Sequence, residues 1–143
     1  MLHMIVEQTH NYPMRMEYNP ATNQFTETGY KSLQYERGFT KPYGWIKESG
    51  TPPSPHWDCI LMTEREVELG DQLPIRVIGV FKRADLDHKY VAVEAARDIQ
   101  DISQLTPQEQ AELNKLYPHI GPGEGWFGQA EAAYCMEHHA KAL

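Results

Sequence analysis

Between residues 5 and 94, apolar side chains recur with a period of two or in short unbroken runs, and Gly, Pro and Asn clusters separate the runs. Alternation of that kind sends neighbouring side chains to opposite faces of a strand, so this stretch of the chain predicts an antiparallel sheet. Met14, Met16 and Tyr18 alternate with Arg15 and Glu17 ahead of the turn Asn19-Pro20-Ala21-Thr22-Asn23, which puts Arg15 and Glu17 on one polar face. Three further strands are predicted at 57–63, 74–82 and 90–93. The first carries the run Cys59, Ile60, Leu61, Met62. The second sets Ile75, Val77, Gly79 and Phe81 against Arg76, Ile78, Val80 and Lys82, and the third comes after a tight turn.

Beyond residue 94 the period lengthens. Thr106-Pro107-Gln108-Glu109 has the pattern of a capping box with Pro at the first helical position, so a helix is predicted from 107 to about 117, where Pro118 stops it. Ala133, Met136, Ala140 and Leu143 fall at spacings of three and four and predict a second helix from 129 onward. The glycine-rich stretch 121–128 reads as a loop between the two. Strands followed by helices define an α+β class.

The chain has 143 residues, the size of one domain spanning 1–143. With 41% apolar and 23% charged residues, disorder, collagen and coiled coil are excluded as classes. Thirteen Lys and Arg against 20 Asp and Glu give a net charge of −7. That balance argues against a general nucleic-acid or anionic-membrane binder, and an anionic ligand would need a local cationic pocket or a bridging metal. Cys59 and Cys135 are far apart and form no Cys-x-x-Cys pair, so they read as reduced thiols and not as a zinc site or disulfide framework. The first ten residues lack the cationic start and apolar run of a signal peptide, and no window approaches the ~20 apolar residues of a membrane span. The expected location is cytoplasmic.

Four places carry chemistry. In the turn 82–89, Asp85 and Asp87 sit two residues apart between strands, a layout that brings oxygen ligands to a hard cation such as Mg²⁺, while Lys89 is placed to meet a phosphate oxygen. The plain alternative is a polar hairpin turn. Arg15 and Glu17, joined by Glu7 if the first segment folds alongside, form either a site edge or a solvated ion pair. Lys31 and Tyr43 are both phosphate donors by type, although a stretch such as Tyr43-Gly44-Trp45 is more often a packed core edge. Asp58, at the mouth of the run 59–62, either caps backbone amides or binds a ligand.

Taken in order, these pieces resemble the soluble inorganic pyrophosphatases. The resemblance runs through the Glu7 strand, Arg15-x-Glu17, Lys31, and Tyr43-Gly44-Trp45-Ile46. It continues through Asp58, the Gly70 turn before residues 75–80, Asp85/Asp87/Lys89 with Tyr90-Val91-Ala92-Val93, and Glu124-Gly125-Trp126 before residues 130–133. It implies a five-stranded, OB-like antiparallel β-barrel with two flanking C-terminal helices. It also implies Mg²⁺, or Mn²⁺ in its place, held by Asp58, Asp85 and Asp87 and bordered by Glu7 and Glu17. Arg15, Lys31, Tyr43 and Lys89 then contact phosphate, and Asp58, Tyr43 and Lys89 serve catalysis. The reaction so implied is Mg²⁺-dependent hydrolysis of inorganic diphosphate, or of a related small phosphoanhydride, to orthophosphate by a metal-activated water. The family is oligomeric, so self-association is expected, with Tyr134, Met136, His138 and His139 as candidate contacts.

The chain departs from the family where an Asp-x-Asp-Pro-x-Asp signature is expected. Pro53 and Pro55 stand at its first two acidic positions and only Asp58 remains. Pro118 comes after Tyr117 where a phosphate-binding Lys is expected, and the 85–87 turn is short. Glu48 or His56 can replace a lost carboxylate only if residues 47–57 fold inward. These departures motivate a competing expectation, a non-catalytic paralogue that binds phosphate or metal or serves as an assembly subunit.

Overall fold

The computed structural model describes residues 1–138. Its strands are β1 (Leu2–Gln8), β2 (Met14–Asn19), β3 (Gln24–Lys31), β4 (Tyr43–Ile46), β5 (Asp58–Leu61), β6 (Gln72–Lys82), β7 (Lys89–Glu94) and β8 (Gly125–Gly128). Its helices are α1 (Leu33–Glu36), α2 (Pro107–Leu116) and α3 (Gln129–His138). Strands pair in the order β1-β4-β5-β7-β6, and β6 returns to pair with β1, closing a five-stranded barrel. β8 adds to the outer edge of β6, and β2 with β3 forms a separate hairpin.

The barrel is mixed, not wholly antiparallel. β5 and β7 run parallel, in a register that pairs Asp58 with Lys89 and Ile60 with Val91. The cause is topological. β6 pairs with β1 through its first residues and with β7 along 75–81, so β7 enters the slot between β5 and β6 and takes the direction of β5. No local pattern in the sequence encodes that order. Glycine permits one close approach in the closure, since a Cβ on Gly44 would stand 1.9 Å from the Ile5 carbonyl oxygen of β1.

The central strands are buried on both faces. Cys59 and Leu61 belong to an apolar cluster with Met4, Val6, Val80, Tyr90 and, from α3, Ala132 and Cys135. Ile60, Val91 and Val93 belong to a second with Leu113 and Leu116 of α2. Each such aliphatic side chain contributes about 1.5–3 kcal/mol of burial. Both cysteines are buried free thiols.

Helix α2 begins as its sequence predicts. The Thr106 hydroxyl accepts from the Glu109 amide at 3.1 Å, and the Glu109 carboxylate accepts from the Thr106 amide at 3.0 Å. The stretch 121–128 is not all loop. Residues 125–128 pair with β6, and Gly79 and Gly128 face each other there, because a Cβ on Gly79 would crowd the Phe127 carbonyl oxygen at 2.6 Å. In α3, Tyr134 and His138 are exposed and stack at 4.1 Å, while Met136 packs against the first cluster. His139, Ala140 and Leu143 lie outside the described residues. Among the described residues, no helix is long and apolar enough to cross a membrane.

Candidate functional site

The parallel pairing of β5 with β7 builds the centre of the site. Asp58 opens β5 and Lys89 opens β7, so their side chains meet at one barrel mouth with Lys89 Nζ 2.8 Å from Asp58 Oδ2. Lys89 also donates to Asp87 Oδ2 at 3.0 Å, and the Arg83 guanidinium approaches that same oxygen at 3.5 Å. Both ends of the central pair are withdrawn from water, with Asp58 8% and Lys89 6% exposed.

His56 completes the cluster. Its Nε2 lies 3.0 Å from Asp58 Oδ1 and its Nδ1 lies 2.8 Å from the Ser54 carbonyl oxygen. Each ring nitrogen faces an acceptor, an arrangement that favours the doubly protonated, cationic ring. Burial opposes that charge, but the hydrogen bond to Asp58 prevails and the His56 pKa is raised. Burial likewise favours the neutral form of Asp58, yet His56 and Lys89 together lower its pKa to about 2. Lys89 is also raised: burial disfavours its charge and the Asp58 carboxylate more than offsets this.

Two observations mark unspent negative charge. Glu7 on β1 is pushed up to about 7, first by burial and then by the Asp58 charge. Asp87 Oδ1 is buried without a hydrogen-bond partner, which for a carboxylate oxygen is a demand for a cation or donor. The Tyr43 hydroxyl is pushed well above its ordinary range by burial and then by Asp58, so it remains a donor. Its ring lies 5.7 Å from Lys89 Nζ.

These groups line a cleft of about 1140 Å³, together with Arg15, Glu17 and Lys31 from the β2–β3 hairpin. Gln8 ties that hairpin to β1: its side-chain amide donates to the Met16 carbonyl at 2.7 Å and accepts from the Met16 amide at 3.1 Å. Arg15 and Glu17, flanking Met16, are thereby held at the rim. Asp85 is not brought to the cleft. It is exposed, and its Oδ1 accepts from the Asp87 amide at 3.0 Å, as expected of an Asx turn that shapes the loop. Of the two conditional replacements, His56 folds inward. Glu48 turns away and accepts from the His3 amide and ring.

Arg83, Arg37, Tyr117 and Glu124 also line the cleft, and sequence patterns assigned them no role. For Arg83 a signal exists, the four-residue spacing to Asp87 across the turn. Arg37 donates to the Leu116 carbonyl, and Tyr117 stacks on Phe81 at 4.2 Å. Glu124 accepts from the Ala84 and Gly121 amides at 2.9 Å each and clasps two loops. Partners of these kinds arise only from the fold.

A closed mixed barrel thus gathers cations and carboxylates, interleaved, at one mouth. The family model described as inorganic pyrophosphatase matches residues 4–139, and the chain belongs to that family. Solved structures agree in fold. An inorganic pyrophosphatase from Neisseria gonorrhoeae superposes with a TM-score of 0.73 at 23% identity, over 94% of this chain and 86% of that one. One from Ehrlichia chaffeensis gives 0.70 at 20% over 94% and 90%, and one from Thermus thermophilus gives 0.65 at 17% over 95% and 87%. Among curated proteins none matches the sequence.

Proposed function

We propose that this protein hydrolyses inorganic diphosphate, or a closely related small phosphoanhydride, with Mg²⁺ or Mn²⁺ as the accompanying cation. The observation that carries the reading is the cluster in which Lys89, His56 and Arg83 are interleaved with Asp58, Asp87 and Glu7 at the floor of a cleft rimmed by Arg15 and Lys31.

Whether the residues suit a divalent ion turns on their free oxygens. Mg²⁺ is commonly held by one or two carboxylates plus substrate phosphate oxygens, not by an all-protein cage. The orphaned Asp87 Oδ1 is one oxygen of that kind, Asp58 shares the Lys89 ammonium with Asp87, and Glu7 lines the same cleft. That set fits an ion that arrives with phosphate oxygens. Once bound, such an ion would neutralise diphosphate charge and lower the pKa of a water.

The chain's own groups divide the remaining work. Arg15, Lys31, Arg83 and Lys89 supply positive charge to two phosphoryl groups, and the burial of Lys89 strengthens its share. Tyr43 donates its hydroxyl proton to a phosphate oxygen. Glu7, with a pKa near neutrality, is the carboxylate suited to accept a proton from water, whereas Asp58 at about 2 is too weak a base and acts by orienting His56 and Lys89. Asp85 is left to form the turn, and Glu17 stands at the rim.

The test is orthophosphate release from diphosphate in Mg²⁺. Asp58→Ala and Asp87→Ala are each expected to lower the rate by ~10²–10³-fold while the proteins stay folded. Equal background rates in the wild type and both folded variants overturn the assignment in favour of a non-catalytic paralogue that binds phosphate or metal or serves as an assembly subunit.

A further inference from the structure

We infer that Lys89 is an internal counter-ion standing where a divalent ion would sit, so that the ion binds together with diphosphate and not before it. This rests on the reading that the cleft takes diphosphate.

The oxygens of Asp58 and Asp87 are almost all occupied. Asp58 Oδ1 is taken by His56 at 3.0 Å and Oδ2 by Lys89 at 2.8 Å. Asp87 Oδ2 is taken by Lys89 at 3.0 Å and approached by Arg83 at 3.5 Å. Of the four oxygens on these two carboxylates, only Asp87 Oδ1 is free. Among the described residues, no group of three His, Cys, Asp or Glu side chains is placed to hold a metal. Pro53, which also lines the cleft, has no side-chain oxygen to offer there. A divalent ion entering alone would have to break both of the Lys89 ion pairs and displace a buried ammonium, and it would still lack ligands.

Diphosphate removes both obstacles. Its oxygens are ligands for the ion, and its negative charge gives Lys89 and Arg83 a new partner, which releases Asp58 Oδ2 and Asp87 Oδ2 toward the ion. Lys89 thus exchanges carboxylates for phosphate as the ion takes its place. The same pairing predicts the effect of deleting the ammonium: Asp58 Oδ2 loses its donor and Asp87 Oδ2 keeps only Arg83 at 3.5 Å, so the two carboxylates become open to the ion alone.

Equilibrium dialysis of the intact protein, reading protein-bound Mn²⁺, tests this with and without methylenediphosphonate, a diphosphate analogue that cannot be hydrolysed. The wild type is expected to bind Mn²⁺ at least tenfold more tightly with the analogue present. Lys89→Met is expected to bind Mn²⁺ without the analogue, at least tenfold more tightly than the wild type does alone. Equal Mn²⁺ affinity in the wild type with and without the analogue overturns the inference and leaves the proposed reaction standing. Failure of the analogue to bind at all, with or without Mn²⁺, overturns the proposed reaction and this inference with it. The wild-type comparison decides the matter even if Lys89→Met does not fold.

Discussion

Two ion-paired clusters in this protein do opposite things with their charge. Arg97 holds Glu109 through two parallel bonds of 2.6 and 2.7 Å, and the same carboxylate accepts from the Thr106 amide at the start of α2. Every oxygen there has a donor, and the Arg97 hydrogen bonds, opposed by burial, lower Glu109 to about 2. At the barrel mouth, by contrast, one lysine is divided between Asp58 and Asp87, one Asp87 oxygen is buried without a partner, and Glu7 is raised to about 7. The first cluster is closed and fastens the 94–109 segment. The second leaves one buried carboxylate oxygen without a donor and one carboxylate raised toward neutrality, and these are places that a cation completes.

The largest expected effect breaks the open cluster. Lys89→Met leaves Asp58 buried with His56 alone and Asp87 with Arg83, so metal-free stability should fall by about 3–5 kcal/mol, as when one partner of a buried pair is removed. Urea unfolding in EDTA measures it. Arg97→Ala should cost less, about 1–3 kcal/mol, because its guanidinium is a third exposed and Glu109 keeps its backbone donor. Diphosphate binding should be untouched by that change. If Arg97→Ala costs more than Lys89→Met, the contrast between a closed and an open cluster fails.

Strands β2, β5, β6 and β7 and helix α2 were legible because their causes are local. Period-two alternation announced β6, and four residues, Thr106 to Glu109, marked the start of α2. The short β8 was not, since a four-residue strand between glycines has no pattern of its own and exists because β6 offers an edge. In the site, Asp58, Asp87, Lys89 and Tyr43 were named from the order of pieces along the chain. Their spacing was not legible. It depends on the parallel β5–β7 register, which arises from where β6 finds β1, and Asp85 left the set because its side chain serves the turn.

Proton linkage separates the two clusters by sign. The Glu109 pKa is lower in the fold than the ordinary 4.5, so the stability it contributes is present above pH 4.5 and lost as pH falls toward 2. Glu7 is raised from 4.5 to about 7, so the folded state binds more protons across that window and its contribution falls as pH rises from 4.5 to 7. Urea midpoints recorded against pH should therefore lose the acid-side slope in Glu109→Gln and lose the 4.5–7 decline in Glu7→Gln. A decline that persists in Glu7→Gln would place the excess negative charge on some other group.

The smallest effect is expected at the rim and shows where the open cluster ends. Lys31 lies 3.7 Å from Glu36, with the two side chains 75% and 49% exposed, so water already solvates both charges. Lys31→Ala should shift stability by no more than about 0.5 kcal/mol. Its charge still faces the cleft, and solvent-exposed attraction of that kind is screened by salt. Calorimetry with methylenediphosphonate should therefore show weaker binding for Lys31→Ala at low salt and a difference that shrinks as ionic strength rises. For Lys89→Met the loss should persist at high salt, because the ammonium and its partner Asp58 are both buried away from the ions that do the screening. Equal salt dependence in the two variants would mean that rim and floor act on the ligand through the same solvent, and that the floor is not the dry site its burial describes.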